Sequence, residues 1–351
     1  MRVGLDATPL LGARTGVGRY TQQLLAALAG GPDELVATAF TLRGRGSLEV
    51  PPGVQIRARA LPARGLQEAW ARGDLPPVEW LAGRLDVFHA TNFVLPPARR
   101  ARGVVTVHDL AFLRMTETVS AASARYRALV PRSIRRARVV VTPSEAVAEQ
   151  VGEAYAPAVP VVAVPHGVGS WWATSRPPTG ALRAHLGLPS SYVLFVGTLE
   201  PRKDVWTLLA AHALVPDAPP LVLVGPPGWG EQVDVSGVIT PGYLDEDDLG
   251  AVVAGAAALV LPSRDEGFGL PLLEALAAGT PVVASDLPAL REVGGDLVSY
   301  APVGDAEGFA EALRQVLDEP GDASARRAHA ADFTWARSAA AHRAAYTLAL
   351  S

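Results

Sequence analysis

Residues 261–286 read LPSRDEGFGLPLLEALAAGTPVVASD, and this stretch carries the clearest signals of secondary structure in the chain. The apolar run Ala256 to Leu261 just before it predicts a buried strand. A glycine-containing loop follows, and Pro271 then marks the first turn of a short helix. Gly279, followed by a second proline, ends that helix at Ala278. The stretch therefore predicts strand, loop, helix and strand in succession, as in a parallel sheet.

Two carboxylates and a row of backbone N–H groups make this stretch a candidate binding site. Glu266 lies in the loop and Glu274 about one turn inside the helix, so both can face the crevice beyond the strand's carboxyl end. Gly267 and Gly269 allow a close backbone approach. The helix N-terminus suits a phosphate, and the carboxylates would accept from hydroxyls on either side of it. A nucleotide-sugar has this layout of hydroxyls, diphosphate and hydroxyls.

The segment EGFGLPLLE resembles the E-x7-E signature of the large retaining glycosyltransferase family 4, especially its bacterial mannosyltransferase-like members. The other segments that match in order are LDATPLLGARTGVGRYTQQLLAAL, DVFHATNFVLP, VVTVHDLAFL, VTPSEAVAEQV, VAVPHGV, YVLFVGTLEPRKD and the late Trp335. The matches extend over nearly the whole chain. The resemblance implies the α/β GT-B fold, in which two Rossmann-like domains with doubly wound parallel sheets face a central cleft.

Length and strand–helix alternation also predict two α/β domains, because single cores stop growing near about 250–300 residues and the chain has 351. The predicted parts are an N-terminal domain (1–170), a linker (171–190), a C-terminal domain (191–333) and a C-terminal helix (334–351). The resemblance implies that the first domain binds the acceptor and the second the nucleotide-sugar. It also implies that the last helix packs back on the first domain, although an ordinary terminal amphipathic helix has the same composition.

Composition excludes several classes of protein. Cysteine is absent, so disulfides, thiolate metal sites and a cysteine nucleophile are excluded. The N-terminal MRVGLDATPL carries an acidic residue and no long apolar region, which predicts a first strand and not a signal peptide. No uncharged stretch predicts a membrane-spanning helix. The sequence predicts a cytoplasmic protein.

Charge is distributed unevenly along the chain. Residues 1–175 contain 20 basic and 13 acidic residues, and residues 176–351 contain 11 basic and 22 acidic. The asymmetry indicates that the two halves bind different partners, or it only reflects an uneven scatter of arginines along the chain. The arginine run Arg125–Arg138 is either a solvated face or a peripheral contact with the anionic inner face of a membrane, where a lipid-linked acceptor would lie. No aromatic residues at stacking intervals accompany it, so nucleic acid is not an expected partner.

Candidate site residues also occur in the first half. Gly16 and Gly18 in TGVGRY are too few for a dinucleotide fingerprint, and a tight turn alone would explain them. His108 follows the apolar run VVTV at the carboxyl end of a predicted strand, where it is either structural or functional. The resemblance implies that the two glycines approach the donor diphosphate. It also implies that His108 contacts the donor sugar and the reaction centre, with Asp109 orienting the loop.

The second half offers a cationic pair. Arg202 and Lys203 follow its first predicted strand, and Lys203 is the only lysine of the chain. These two side chains are either exposed to solvent or bind a diphosphate, Arg202 through paired guanidinium hydrogen bonds and Lys203 as a point charge. Where this chain has Thr198, family members commonly have an arginine that contacts the donor phosphates. Arg202 is expected to make this contact instead. Tyr243 and Leu244 match the loop that packs on the nucleotide base.

The predicted catalytic residues are His108 and Glu266, and the predicted donor-binding residues are Gly16, Gly18, Arg202, Lys203, Tyr243, Leu244, Gly267, Phe268, Gly269, Leu270 and Glu274. No metal is expected. The acidic run Asp245 to Asp248 is similar to a metal motif of another glycosyltransferase fold, but it lies at a predicted helix start, where Asp245 can cap. Arg202, Lys203 and the helix N-terminus can neutralise the diphosphate without a cofactor.

The sequence therefore predicts a glycosyltransferase that moves a hexose from a nucleotide-sugar, with mannose from GDP-mannose favoured, to a carbohydrate or lipid-linked glycan. For a retaining outcome, the resemblance implies same-face attack assisted by the leaving phosphate oxygen. Three alternatives stay open at this level. They are a UDP-sugar-dependent transferase of glucose or N-acetylglucosamine, a nucleotide-sugar epimerase or hydrolase, and a non-catalytic sugar-nucleotide-binding subunit.

Overall fold

The computed structural model describes residues 1–11, 16–41, 48–115, 124–229 and 234–351. These residues form two compact units. The N-terminal unit comprises Met1–Gly167 and Trp335–Ser351, and the C-terminal unit comprises Val168–Thr334. The residues expected to form a linker, 171–190, lie inside the C-terminal unit, because the side chains of Trp172 and Leu188 are buried in its core.

The N-terminal unit is built on a parallel sheet of seven strands in the order β3-β2-β1-β4-β5-β6-β7. Its strands are β1 (Arg2–Asp6), β2 (Glu34–Phe40), β3 (Gln55–Arg59), β4 (Val87–Ala90), β5 (Arg102–Thr106), β6 (Ala137–Thr142) and β7 (Val161–Ala163). The helices between them are α1 (Gly16–Ala29), α2 (Ala63–Arg72), α3 (Glu79–Ala82), α4 (Ala111–Arg114), α5 (Tyr126–Arg136) and α6 (Glu145–Tyr155).

The C-terminal unit has a six-stranded parallel sheet in the order β10-β9-β8-β11-β12-β13. Its strands are β8 (Val193–Val196), β9 (Leu221–Val224), β10 (Ile239–Gly242), β11 (Ala258–Leu261), β12 (Val282–Ser285) and β13 (Ser299–Ala301). Its α-helices are α7 (Gly180–Leu186), α8 (Val205–Ala213), α9 (Glu246–Ala254), α10 (Leu270–Ala278), α11 (Pro288–Gly294), α12 (Ala306–Asp318) and α13 (Ala323–Ala330).

Both sheets are covered on their two faces, which explains why their central strands are continuously apolar. In β11, Leu259 and Leu261 belong to one core cluster, whereas Ala258 and Val260 belong to another. A strand that is buried on both faces has no polar side and needs an apolar residue at every position. The fold class expected from the sequence, two doubly wound parallel sheets, is confirmed.

The strand orders locate the candidate binding edges. In each sheet the chain runs outward in one direction, returns, and continues on the other side, so β1 lies beside β4 and β8 beside β11. Open α/β sheets bind ligands beyond the carboxyl ends of the strands at such a reversal. The loops after β8 and β11 hold the cationic pair and the EGFG segment, respectively.

The final helix, α14 (Trp335–Leu350), packs within the N-terminal unit. Its Ala345, Tyr346 and Ala349 are part of the core cluster that contains strands β1 and β2. The Tyr346 hydroxyl also lies 2.8 Å from Nδ1 of His89 on β4. The helix is thus an integral part of this core. Among the described residues, no helix is both long and apolar enough to cross a bilayer.

A directed chain of buried hydrogen bonds joins α14 to α1, β4 and β5. His342 Nδ1 lies 2.8 Å from the Ser338 carbonyl, which can only accept, so Nε2 of neutral His342 accepts from the Tyr20 hydroxyl at 3.0 Å. Thr106 then donates to the Tyr20 oxygen at 3.0 Å, and His89 Nε2 donates to Thr106 at 2.7 Å. Burial lowers the pKa of His342 to about 4, so this neutral arrangement holds at neutral pH.

Candidate active site

The loops after β8 and β11 bring the predicted cations onto the predicted carboxylate. Lys203 Nζ donates to Glu266 Oε1 in a short ion pair, and Arg202 Nη1 donates to Oε2 at 3.2 Å. Ser263 Oγ adds a hydrogen bond to Oε1 at 2.8 Å. These residues were expected at one edge of the sheet, but the direct pairing of Glu266 with both cations was not predicted.

Arg202 bridges two carboxylates. Its Nε and Nη2 donate to Glu200 Oε1 at 3.1 and 2.8 Å, while Nη1 also donates to the Asp265 carbonyl at 2.8 Å. The guanidinium plane is therefore held in one orientation by partners on both sides. Because Glu200 and Glu266 balance Arg202 and Lys203, these four side chains carry no net formal charge.

The charge state of Glu266 follows from this environment. Burial by itself would raise its pKa, because its residue is only 8% exposed. The nearby charges of Lys203 and Arg202 and the hydrogen bonds from Lys203 and Ser263 outweigh burial and lower the pKa to about 2. A carboxylate offers about four acceptor positions. Oε1 accepts two bonds and Oε2 one, which leaves Oε2 able to accept one further hydroxyl.

Three hydrogen bonds fix the loop that carries the cations. The Arg264 amide donates to the Arg202 carbonyl at 2.8 Å, which ties the two loops together. Asp204 then adopts the left-handed region at φ +47°. Its Oδ2 accepts from Thr207 Oγ1 and from Arg264 Nε, both at 2.9 Å. A non-glycine residue in this conformation costs of the order of 1–3 kcal/mol and needs such support.

Helix α10 begins at this site without a side-chain cap. Its N-cap residue, Gly269, has φ +89°, and a Cβ there would lie 2.4 Å from a Leu290 methyl carbon. By contrast, Asp245, Asp305 and Asp322 cap α9, α12 and α13. Gly269 has no side chain with which to cap the first amides of α10, so these amides can donate to a bound anion.

The remaining residues of the EGFG segment have different surroundings. The Phe268 side chain is buried in the core beside the Phe333 ring, and Leu270 packs partly against the same core. A donor could therefore reach these two residues mainly through the backbone. Gly267 is buried in the loop. Glu274 lies in the second turn of α10 and is only 4% exposed.

Tyr243 and Leu244 follow β10, at the same carboxyl edge of the C-terminal sheet. The Tyr243 side chain is 51% exposed, whereas Leu244 packs partly against the core. Gly242 before them has φ +83°, so a glycine is suited to the end of this strand. An exposed aromatic ring beside the edge can pack on a planar base.

Gly16 and Gly18 lie in the first turn of α1 and not in the preceding loop. The expectation of a strand-to-helix turn is therefore wrong for these two residues, because the helix begins earlier than the pattern indicated. Residues 12–15, which form the rest of that connection, lie outside the described residues.

His108 lies just beyond the carboxyl end of β5 in the N-terminal unit. Its Nε2 donates to the Thr91 carbonyl at 2.8 Å, and Thr91 Oγ1 donates to the Asp6 carbonyl at 2.6 Å, so the ends of β5, β4 and β1 are joined. Burial lowers the His108 pKa, against smaller opposing effects of the Thr91 bond and Asp109. Neutral His108 therefore has an acceptor nitrogen, Nδ1. Asp109 Oδ1 accepts from the Ala111 amide at 3.1 Å at the start of α4.

Aromatic rings hold the imidazole of His108 in place. The Tyr20 ring contacts it edge-on at 5.0 Å between centroids, and the Phe93 ring does so at 5.6 Å. Phe93 has φ +58°, a strained conformation for a bulky residue. Phe93 was not predicted as part of the site, because positive φ at a non-glycine residue has no pattern in the sequence.

A cavity of about 140 Å³ lies at the same edge of the N-terminal sheet. Its walls include Asp6, Gln67, Trp70, Asn92 and Tyr126. Burial raises the pKa of Asp6, whose Oδ1 accepts from the Thr8 amide at 2.9 Å. This cavity was not predicted from the sequence. The position of Asp6 at the end of β1 was the available signal, whereas the aromatic walls come from distant helices.

The arginines of the Arg125–Arg138 run do not form one solvated face. Arg127 Nε donates to the Phe112 carbonyl at 2.8 Å, and Arg136 pairs with Asp74 at 2.6 Å. Arg138 lies on β6 and not on the helix. The proposed membrane contact of this region stays a prediction.

The acidic run at residues 245–248 behaves as expected. Asp245 Oδ1 accepts from the Asp248 amide at 2.9 Å, so the predicted cap is confirmed. In the described part of the chain, no group of three or more histidine or carboxylate side chains could hold a metal ion. Metal independence stays a prediction.

Comparison with known proteins identifies the family. Residues 190–319 match the family described as glycosyl transferases group 1, and residues 15–167 match that of the glycosyl transferase 4-like domain. The O-antigen chain mannosyltransferase B of Escherichia coli is 30% identical over 290 residues, which cover 77% of this chain and 74% of that protein. The chain belongs to the group 1 glycosyltransferases. The predicted enzyme class is thus confirmed.

Solved structures show the fold of this glycosyltransferase. Sucrose-phosphate synthase of Thermosynechococcus elongatus has a TM-score of 0.77 at 21% identity, covering 99% of this chain and 98% of that one. Anabaena HepE in complex with UDP-glucose has a TM-score of 0.71 at 19% identity, covering 98% and 99%. Two Rossmann-like parallel-sheet units of this kind constitute the GT-B fold.

Proposed function

We propose that this glycosyltransferase transfers mannose from GDP-mannose, with retention of configuration, to a hydroxyl of a free or lipid-linked glycan. The observation that carries the proposal is the Lys203–Glu266–Arg202 cluster beside the uncapped start of α10. The similarity to a mannosyltransferase that acts on O-antigen chains supports the choice of sugar and acceptor class.

In this proposal the diphosphate lies at the N-terminus of α10, where backbone amides, Lys203 and Arg202 donate to it. Negative charge grows on the diphosphate as the glycosidic bond breaks, so donors already held in place stabilise the transition state more than the ground state. Glu200 and Glu266 orient the two cations through the bonds described above. The N-terminus of α10 and the hydrogen bonds from Lys203 and Arg202 stabilise this growing charge locally, and the proposal includes no metal ion.

The flanking groups recognise the two ends of the donor. Glu266 uses its remaining Oε2 acceptor position for a hydroxyl of the transferred sugar, and Glu274 accepts from the ribose. Tyr243 and Leu244 pack on the base. His108 accepts a hydrogen bond at Nδ1 from a sugar hydroxyl near the reacting carbon. The acceptor hydroxyl then attacks the anomeric carbon from the face on which the diphosphate departs, so that the new C–O bond forms as the bond from carbon to the phosphate oxygen breaks, and the leaving phosphate oxygen takes the hydroxyl proton.

The cavity beside Asp6 is the proposed binding site of an acceptor sugar. It combines the carboxylate of Asp6 and the amides of Gln67 and Asn92 with the aromatic side chains of Trp70 and Tyr126. Amide and carboxylate groups bind hydroxyls, and aromatic rings pack on the apolar face of a sugar. This set suits an uncharged saccharide.

Asp6→Asn is expected to raise the acceptor KM about tenfold, because a hydrogen bond to a charged group contributes about 1.5–3 kcal/mol. The asparagine keeps the side-chain volume and an oxygen for the Thr8 amide. Hydrolysis of the donor in the absence of acceptor should be unchanged. Asp86→Asn, on an exposed residue that precedes β4, is the matched control. An unchanged acceptor KM in Asp6→Asn would contradict the binding of the acceptor in this cavity.

A donor panel tests the choice of donor. GDP-mannose is expected to raise the melting temperature more than GDP-glucose, UDP-glucose or UDP-N-acetylglucosamine, because binding to the folded state stabilises it by mass action. Incubation with a mannose-containing oligosaccharide and NMR of the product should then show an α-linked sugar, as in the donor. A larger rise in melting temperature with a UDP-sugar would show that the donor is that UDP-sugar and not GDP-mannose. A product with inverted anomeric configuration would contradict retention.

A further inference from the structure

An arginine-lined cavity of about 610 Å³ opens on the N-terminal unit. Its charged lining residues are Arg99, Arg100, Arg102, Arg136, Arg138 and Asp74. Five guanidinium groups therefore face one carboxylate. The volume falls within the range of about 300–1,000 Å³ that is typical of ligand pockets.

The cavity lies at the opposite edge of the sheet from the reaction site. Arg102 is the first residue of β5 and Arg138 the second of β6, and these neighbouring strands are parallel. The cavity thus opens at the amino ends of the strands, whereas His108 and Asp6 lie at the carboxyl ends. A ligand bound there would not compete with the acceptor.

Hydrogen bonds from three backbone amides to the half-buried Glu79 fix the loop that carries Arg99 and Arg100. Glu79 Oε1 accepts from the backbone amides of Arg99, Arg100 and Ala101 at 2.9, 2.7 and 3.0 Å. The carboxylate is therefore occupied by the backbone and does not pair with the arginine side chains. The Arg99 guanidinium lies 5.5 Å above the ring of Trp80, which is 58% exposed. The loop is held with its side chains directed outward.

A β-bulge presents Arg138. Gly103 pairs with Ala137 and Val104 pairs with Val139, so Arg138 is an extra residue between two regular pairs. Bulges redirect a side chain out of the regular alternation. Arg138 is the exposed residue of an otherwise buried strand. Its charge would be costly inside the sheet, and the bulge places it in the cavity.

The positive charge of the cavity is largely uncompensated. Arg136 pairs with Asp74 and also donates to the carbonyls of Trp70 and Gly73. The other four arginines form no ion pair with any residue that the structure describes. Concave sites lined by charge of one sign focus the field and attract counter-ions.

We propose that this cavity binds a ligand with two or more phosphate groups. Guanidinium groups bind phosphate oxygens through paired, charge-assisted hydrogen bonds, and four unpaired groups suit more than one phosphate. The ligand is a soluble phosphate ester or the headgroups of anionic lipids, which share this chemistry. The site is separate from the proposed diphosphate site of the C-terminal unit.

Arg102→Gln/Arg138→Gln is the test variant, and Arg57→Gln/Arg84→Gln is the matched control, because all four residues are exposed in the same unit. Calorimetry with inorganic pyrophosphate at low salt should show two binding events in the native protein. The test variant should weaken one of them at least about tenfold, and the control should retain both. The binding event that the test variant retains is assigned to the C-terminal unit. If this second event is absent from the native protein and from both variants, the proposed function is contradicted but the proposal for the cavity is not.

Flotation with vesicles of phosphatidylcholine and phosphatidylglycerol distinguishes the two sources of phosphate. Loss of vesicle binding in the test variant, with the pyrophosphate events unchanged, assigns the cavity to lipid headgroups. Loss of one pyrophosphate event assigns it to a soluble ligand. Identical behaviour of the native protein and the test variant in both assays, or an equal loss in the control, would overturn the proposal.

Discussion

Lys203→Met is expected to weaken the binding of a nucleoside diphosphate about a hundredfold while changing the affinity for the nucleoside less than about twofold, because a charge-assisted bond contributes about 1.5–3 kcal/mol. Lys203 donates to Glu266 from a nearly buried position, so its ammonium group is held beside the start of α10. Calorimetry with GDP and guanosine measures the difference. An unchanged GDP affinity would reject the phosphate role of Lys203.

The same change should also destabilise the C-terminal unit. Glu266 would keep Arg202 and Ser263 but lose its main partner, and breaking a buried ion pair costs about 3–5 kcal/mol. Lys203→Met/Glu266→Gln, which removes both charges, should restore much of the lost urea midpoint but not the GDP affinity. This double variant separates stability from binding. Glu149→Gln, on the exposed face of α6, is the control.

Acid provides an independent check on this pair. The folded pKa of Glu266, about 2, lies below its ordinary value of 4.5, so its stabilising contribution is complete above pH 4.5 and is lost as the pH falls towards 2. Glu266→Gln should therefore reduce the loss of stability between these pH values. If its acid dependence equals that of the native protein, Glu266 is not held by the two cations.

His108→Ala is expected to lower kcat by about two to three orders of magnitude, as for the loss of one positioned hydrogen-bonding group at the reaction centre. The GDP affinity should remain within about twofold, because the nucleotide is assigned to other residues. The neutral imidazole is oriented by the Thr91 carbonyl and by the Tyr20 and Phe93 rings, so its acceptor nitrogen is positioned before substrate binds. Steady-state and calorimetric measurements check both parts.

The matched control for His108→Ala is His185→Ala, which removes an exposed histidine from α7. It should leave both kcat and GDP affinity unchanged. A kcat for His108→Ala within about threefold of the native value would exclude a role in the reaction, since a positioned group typically contributes at least about a hundredfold. A large loss of GDP affinity would instead place His108 in nucleotide binding.

Local patterns were sufficient to predict much of the architecture. Helix α10 spans Leu270–Ala278 as predicted, because a proline and a glycine define its ends independently of the rest of the chain. The central strands were also predictable, since burial on both faces makes them continuous apolar runs. Strand β3 could not be predicted from an apolar pattern, because its side chains are mostly exposed at the sheet edge.

The site was less predictable than the elements that carry it. Glu266 and Lys203 were each singled out, but their pairing spans 63 residues and depends on β8 lying beside β11. Gly16 and Gly18 were expected at the turn between the first strand and the first helix, because glycine permits a tight turn and a close backbone approach. The Asp6 cavity could not be predicted from the sequence, since the residues that line it come from strands and helices far apart in the chain.

The involvement of α14 in the N-terminal core has a consequence for synthesis on the ribosome. Residues 168–334 form a continuous unit and can fold once they emerge, whereas the earlier half lacks the partners of Tyr20 and His89 until residues 335–351 follow. Domains usually fold in the order in which they are translated. In this chain the portion made first completes its folding last.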